Sequence, residues 1–167
     1  ASHINPEGSN TSYLVLYGDI LIGVDFYRFV ENFKLYKKSD IHVLTRFSNH
    51  PEDSDKILLD NDGYIKKFIS KHEPFCSTHP ITTTTGIYLA KKSFFEKLSN
   101  WSNQKCDLFS EVLPFDSNLV IASAYHSTEF ILDIGTKKRF AKGQKALSEN
   151  LIFEKSYLNP QKALILD

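Results

Sequence analysis

The chain has 167 residues and a mass of 19.1 kDa, the size of one domain. Hydrophobic residues make up 41% and charged residues 24%, so a packed core is expected and disorder is not. Lys plus Arg is 20 and Asp plus Glu is 20, giving a formal net charge of zero. That argues against a surface that recruits nucleic acid or an anionic membrane by overall charge. Apolar runs are too short to span a bilayer, and the N-terminus lacks a charged-then-apolar export signal. Cys76 and Cys106 make no disulfide framework and fit reduced thiols, so a cytoplasmic location is expected. There is no Met, and the chain ends on the apolar run Ala163-Leu-Ile-Leu-Asp167, so a piece of a longer protein is expected.

Residues 1–12 are polar, carry Pro6 and Gly8, and read as a loop. Tyr13-Leu-Val-Leu-Tyr17 is a short apolar run closed by Gly18-Asp19, the pattern of a buried parallel strand. Asp25 is a good N-cap for a helix whose Phe26, Phe29, Val30 and Phe33 form one apolar face. Ile41 to Arg46 reads as the next strand, which completes a βαβ unit and predicts an α/β sheet. After a polar loop from His50 to Asp55, Lys56–Leu59 and Tyr64–Ile69 are strands joined by the turn Asp60-Asn-Asp-Gly63. Ser70 to Pro80 is a second loop, and Ile81 to Ala90 is a Thr- and Ile-rich strand broken by Gly86. Ser93 is the expected cap of a short helix through Leu98, and Asp107 that of another over Leu108–Leu113. Leu119–Tyr125 and Phe130–Leu132 read as strands. Thr136 is expected to cap a last amphipathic helix with Phe140, Ala141 and Leu147 inward. Residues 148–161 read as a linker, and Lys162 to Asp167 as the first strand of a further unit.

Several residues have chemistry beyond folding. Asp19 and Asp133 each directly follow an apolar strand and precede turn residues. Ligands of open α/β sheets sit beyond the carboxyl ends of the strands, and Mg²⁺ suits one or two carboxylates plus substrate phosphates. Lys71 lies just past a strand, where an ammonium can neutralise a phosphate, although most such lysines are merely solvated. His72, Cys76 and His79 have a spacing that can supply three zinc ligands, but no fourth is evident. Lys137, Lys138, Arg139, Lys142 and Lys145 read as a solvated helix face rather than a nucleic-acid surface, since no aromatics interleave for stacking. Cys106 has no nucleophile motif around it and reads as a buried or partly buried thiol.

Four segments together resemble the sugar-1-phosphate nucleotidyltransferases. Tyr13-Leu-Val-Leu-Tyr-Gly-Asp-Ile-Leu21 resembles the family's LVLNGD-x-L segment, with Tyr17 where the family has Asn. Tyr64-Ile-Lys-Lys-Phe-Ile-Ser-Lys71 is similar to V-x-x-F-x-E-K-P, with Ser70 for the Glu and His72 for the Pro. Thr84-Thr-Gly-Ile-Tyr88 is similar to N-A-G-I-Y, with Thr84 for the Asn, and Phe130-Ile-Leu-Asp-Ile-Gly-Thr136 resembles F-x-D-I-G-T-P. His50-Pro-Glu-Asp-Ser-Asp55 resembles a loop of the heptose and mannose guanylyltransferase branch. Lys162-Ala-Leu-Ile-Leu-Asp167 resembles the opening strand of a fused haloacid-dehalogenase-like phosphatase, whose nucleophile would be Asp167.

The resemblance implies a Rossmann-like mixed sheet of the glycosyltransferase-A-like type, incomplete at its N-terminus. It implies a nucleotidyltransferase domain over residues 1–147 without the family's glycine-rich loop. The reaction implied is transfer of a nucleotidyl group from an NTP, GTP in this branch, to a heptose or mannose 1-phosphate, with loss of pyrophosphate. Asp19 and Asp133 would hold Mg²⁺ and Lys71 would clamp the sugar phosphate. Gly18, Thr84, Thr85 and Gly86 would line the sugar site, Gly86 because a Cβ there would intrude on the sugar. A homo-oligomer is compatible with it; nucleic acid and membrane are not expected partners. The 167 residues alone are expected not to turn over. The alternatives are a sugar-phosphate-binding domain without catalysis and a zinc-bearing interaction module.

Overall fold

β-Branched residues crowd the segment Thr82–Lys91, and it forms the central strand of the main sheet in the computed structural model. The structure describes residues 11–48, 53–75, 81–98, 107–115, 119–149 and 151–152. In chain order the elements are β1 (Ser12–Leu16), β2 (Ile20–Gly23), α1 (Phe26–Leu35), β3 (Ile41–Phe47), β4 (Lys56–Leu59), β5 (Ile65–Ile69) and β6 (Thr82–Lys91). There follow α2 (Lys92–Lys97), one π-helical turn (Leu108–Val112) running into α3 (Leu113–Phe115), β7 (Ala122–His126), β8 (Phe130–Asp133) and α4 (Lys137–Ser148).

One edge of β6 carries β3 antiparallel, and its other edge is shared by β1, opposite Ile87 to Lys91, and β4, opposite Thr83. β7 lies parallel outside β3 and β5 antiparallel outside β4, so the sheet is mixed. The fold class is therefore the α/β mixed sheet expected. The expected parallel, buried first strand is corrected: β1 pairs antiparallel with β6 and leaves Leu14 and Leu16 exposed. A short apolar run looks the same whichever neighbour it meets, so composition could not assign its partner. β1 and β3 do run in the same direction, but β6 lies between them.

Side-chain alternation divides the sheet into two apolar faces. Ile41, Val43, Ile57, Phe68, Tyr88 and Ala90 point to one face, covered by Phe94, Phe109 and Leu113. Leu44, Ile87 and Leu89 point to the other, covered by Phe29 and Phe33 of α1 and by Ile131 of β8. Burying each of those two Phe side chains contributes roughly 2–3 kcal/mol. Asp25 caps α1 as expected, accepting from the Arg28 N–H at 3.1 Å, whereas Val30 of the expected apolar face is exposed.

Other sequence expectations are also revised. β2 was not foreseen, because its four residues are too few to show periodicity. The strand expected from Leu119 starts at Ala122. Ser93 does not cap α2; its hydroxyl donates to Asp40 Oδ1 at 3.2 Å. Asp40 Oδ2 accepts from Lys97 Nζ at 2.6 Å and from the Ile121 N–H at 2.9 Å. Burial alone would raise the Asp40 carboxyl, but these donors hold it below its ordinary value. α4 is rotated from the expected register: Phe140, Ala141 and Leu147 are exposed, while Gly143 and Ala146 are buried. Small residues let the helix approach closely, and a Cβ on Gly143 would lie 3.1 Å from Ile134 Cγ2. At the start of the expected linker, Ile152 is buried, and its carbonyl oxygen would lie 2.9 Å from a Cβ on Gly23. Cys76, His79, Cys106 and residues 153–167, including Asp167, lie outside the described residues.

Candidate functional site

The short antiparallel ribbon of β2 and β8 joins two distant parts of the chain. Its register sets Ile20 opposite Asp133, and the Ile134 N–H donates to the Asp19 carbonyl at 2.8 Å. Asp19 and Asp133 therefore emerge at the same end. A Cβ on Gly135 would lie 3.1 Å from Asp133 Oδ1 and 3.1 Å from Asp19 Oδ2. The two carboxylates thus border one spot that only a glycine leaves open. Asp133 Oδ1 also accepts from the Gly135 N–H at 2.7 Å, and its Oδ2 pairs with Arg139 Nη1 at 3.2 Å. Thr136 then caps α4, accepting from the Arg139 N–H at 3.2 Å, which anchors that arginine's backbone beside the pair. Two carboxylates facing one gap are a donor set suited to a hard divalent cation that keeps water or substrate oxygens as its other ligands. Among the described residues no cluster of three or more His, Cys, Asp or Glu is placed to hold a metal.

Tyr17 and Gly86 form the next part. The Tyr17 N–H donates to the Gly86 carbonyl at 3.1 Å. Gly86 has φ +75°, the left-handed region that favours glycine, and β6 continues through it rather than breaking. A Cβ there would lie 2.8 Å from both Cγ and Cδ2 of Tyr17. The expectation that Gly86 opens its space directly to a sugar is therefore corrected: the Tyr17 ring occupies that space. Tyr17 is half-exposed, and burial, followed by the charges of Asp107, Asp55 and Asp19, pushes its phenol above the usual range.

Asp55 ties three segments together. Both of its carboxylate oxygens accept from Ser110 Oγ, at 2.9 and 2.8 Å, and Oδ1 also accepts from the Lys71 N–H at 2.9 Å. Its carbonyl accepts from the Thr84 N–H at 3.2 Å. Thr85 Oγ1 donates to the Leu44 carbonyl at 2.8 Å, so that hydroxyl serves the sheet. Gly18 lies in open space, with no atom within 4 Å of a Cβ built on it. The Lys71 side chain forms no ion pair with a described carboxylate and lines a cavity of about 400 Å³ with Lys56, His72 and Phe75. Lys56 is buried there, a feature its place in a strand gave no reason to expect. A second cavity, of about 370 Å³, is lined by Arg46, Phe47, His126, Glu129 and Lys142.

The structure thus unites Asp19 with Asp133 and packs Tyr17 on Gly86. It does not bring Lys71 into ion-pair range of either member of the aspartate pair. Sequence reasoning missed the packing of Tyr17 on Gly86 and the bonds of Ser110 to Asp55 and Asp107. The substitution of Tyr for Asn at position 17 and the acidic end of His50–Asp55 were the available signals. The residues Lys137, Lys138, Arg139, Lys142 and Lys145 are exposed, as expected of a solvated face. Among the described residues no helix is long and apolar enough to cross a membrane.

No family model matches the chain. Over 137 residues it is 28% identical to a mannose-1-phosphate guanylyltransferase catalytic subunit beta of Drosophila pseudoobscura pseudoobscura, covering 82% of this chain and 35% of that protein. Its fold is similar to that of HddC from Yersinia pseudotuberculosis, with TM-score 0.59, 18% identity and coverage of 84% of this chain and 56% of that one. A structure of HddC complexed with GMP-PN gives the same TM-score of 0.59 at 17% identity, with coverage of 84% and 56%. A Bacillus anthracis protein described as a glucose-1-phosphate thymidylyltransferase, in complex with a sucrose, matches with TM-score 0.63, 19% identity and coverage of 88% and 58%. The chain thus spans about a third of that curated relative and somewhat over half of these solved structures. It shares its fold with these solved structures, and its sequence is similar to that of the guanylyltransferase subunit.

Proposed function

We propose that this chain is the sugar-phosphate and metal-binding part of a sugar-1-phosphate nucleotidyltransferase. The observation that carries the reading is the meeting of Asp19 and Asp133 over Gly135. The guanylyltransferase relative and the GMP-PN complex of HddC favour GTP as the nucleotide and mannose 1-phosphate as the acceptor, and the resemblance of His50–Asp55 adds heptose 1-phosphate. An oxygen of the sugar phosphate attacks the α-phosphorus of the nucleotide. A new P–O bond forms, the α–β phosphoanhydride bond breaks, and pyrophosphate leaves.

Such a reaction is catalysed chiefly by holding the reactants in line and neutralising charge. Mg²⁺, when bound, supplies charge neutralisation between the phosphates. The two aspartates would hold it, and the open space above Gly135 leaves room for phosphate oxygens. The Arg139 guanidinium, paired with Asp133 Oδ2, holds that carboxylate in orientation. Lys71 would bring a further positive charge to the sugar phosphate, from a backbone anchored on Asp55.

The test is pyrophosphate release by the full-length polypeptide with GTP, Mg²⁺ and α-D-mannose 1-phosphate or a heptose 1-phosphate. Asp133→Asn should lower the rate more than about tenfold by removing a metal ligand. A rate near wild type would remove Asp133 from the site. Sugar-phosphate binding without pyrophosphate release would instead make the chain a binding domain.

A further inference from the structure

We propose that the cleft between the end of β3, the β7–β8 turn and α4 is a second ligand site that takes a nucleoside monophosphate, with its phosphate on Arg46 and Lys142 and its base on the Phe47 ring. The proposal does not depend on the transfer reaction above, and none of these residues belongs to the aspartate pair.

The phosphate end rests on two cations. Arg46 reaches from the main sheet to the β2–β8 ribbon, where its Nη1 donates to the Ile131 carbonyl at 2.5 Å. Its Nε donates to the Phe47 carbonyl at 3.4 Å. These two bonds fix the plane of the guanidinium. The other Nη1 hydrogen and both hydrogens on Nη2 have no acceptor among the described residues. Arg46 is half-buried and lines a cavity of about 370 Å³, a volume that suits a small ligand. Lys142 of α4 lines the same cavity, and neither cation pairs with a described carboxylate. A planar guanidinium held on one side and open on the other is preorganised for a phosphate, and the ammonium adds a point charge.

The other end is aromatic. Phe47 is the last residue of β3 and stays 50% exposed, with the His126 ring centroid 4.3 Å from its own. A ring half in water is a stacking surface for a planar heterocycle. Glu129 lies in the same lining. Its Oε1 accepts from the Asp25 N–H and its Oε2 from Ser127 Oγ, both at 3.0 Å, so the turn holds the carboxylate in place. Each oxygen can accept once more, from a ribose hydroxyl. Beside one carboxylate the two cations leave the lining net positive. An inorganic anion would use the cations alone. A ligand with a phosphate, hydroxyls and a flat ring uses every group.

The experiment is a titration of the full-length polypeptide with GMP in EDTA, read on the His126 imidazole signals by proton–nitrogen NMR. Those signals are assigned by their loss in His126→Gln. EDTA removes metal-dependent binding at the aspartate pair, and the His126 ring reports on the cleft. GMP should shift its signals in a saturable way. Lys142→Ala, at an exposed position where folding is not at stake, should weaken GMP about tenfold. Arg46→Lys keeps the charge, loses the fork, and should weaken it about fivefold or more. Phe47→Ala should weaken GMP about fivefold or more and leave ribose 5-phosphate, which lacks the base, within about twofold. Unmoved His126 signals, or unchanged GMP affinity in Lys142→Ala, would overturn the proposal. Equal affinity for GMP, ribose 5-phosphate and inorganic phosphate would also overturn it, in favour of a bare oxyanion site. None of these outcomes bears on pyrophosphate release, which tests the transfer reading separately.

Discussion

Replacing Gly86 by Ala tests the local construction of the site with a single methyl group. Two costs are expected. At φ +75° an L-residue is in left-handed backbone, which costs about 1–2 kcal/mol. The new Cβ also lies 2.8 Å from Tyr17 Cγ and Cδ2 and 3.0 Å from Ile20 Cδ1. Cγ is at the base of the Tyr17 side chain, so the ring cannot yield by flexing its tip and must change rotamer. Overpacking of this kind costs about 1–3 kcal/mol. Together the change should destabilise by about 2–5 kcal/mol, a large part of a typical domain's stability. Urea unfolding followed by circular dichroism measures it. The double variant Tyr17→Ala/Gly86→Ala separates the terms: without the ring, only the backbone cost should remain. A coupling energy of about 1 kcal/mol or more between the two positions is expected. A Gly86→Ala cost below about 0.5 kcal/mol, or strict additivity of the two changes, would refute the reasoning.

Three further outcomes follow from the same geometry. Gly135→Ala places a methyl 3.1 Å from both Asp19 Oδ2 and Asp133 Oδ1, and should weaken Mg²⁺ about tenfold in a titration while both carboxylates remain. Unchanged metal affinity would mean that the cation binds elsewhere. His42 is fully buried among Phe29, Phe33 and Tyr36, and burial lowers its pKa from 6.5 to about 4. Ser123 Oγ donates to Ser39 and lies 2.7 Å from His42 Nδ1, so Nδ1 carries the hydrogen and the partnerless Nε2 would have to take the second proton. The unfolded chain takes up that proton first as pH falls below 6.5. Stability should therefore drop by about 2 kcal/mol between pH 7.5 and pH 5, a loss His42→Phe should remove; an equal slope in that variant would assign it to other groups. Thr136→Ala, which deletes the cap of α4, should cost about 1 kcal/mol in the same unfolding assay, and a neutral result would show that helix packing alone holds α4.

The elements that were legible in the sequence are those whose cause is local. Asp25, Asp107 and Thr136 cap helices because a short acceptor side chain reaches N–H groups only two or three residues ahead. The turn at Asp60–Gly63 follows from Asp60, which accepts from the N–H groups of Asp62 and Tyr64, and from Gly63 at φ +85°. Asp19 and Asp133 could be singled out because each directly follows an apolar strand.

Tertiary structure decided what depends on neighbours distant in sequence. Whether β1 pairs parallel or antiparallel is not encoded in its own apolar run, since any strand edge satisfies its backbone. The inward face of α4 is set by how closely Gly143 and Ala146 let it approach Ile134 and Leu132, and that overrides the larger apolar residues Phe140 and Leu147. The ring over Gly86 follows the same rule. Glycine at position 86 shows in the sequence that something must come close, and only the packed chain shows that Tyr17 does. Residue type and local spacing thus determined the capped helices, the turn and the chemistry available at Asp19 and Asp133. Strand partners, helix rotation and the surroundings of Tyr17 come from contacts between residues far apart in the chain, which local patterns do not record.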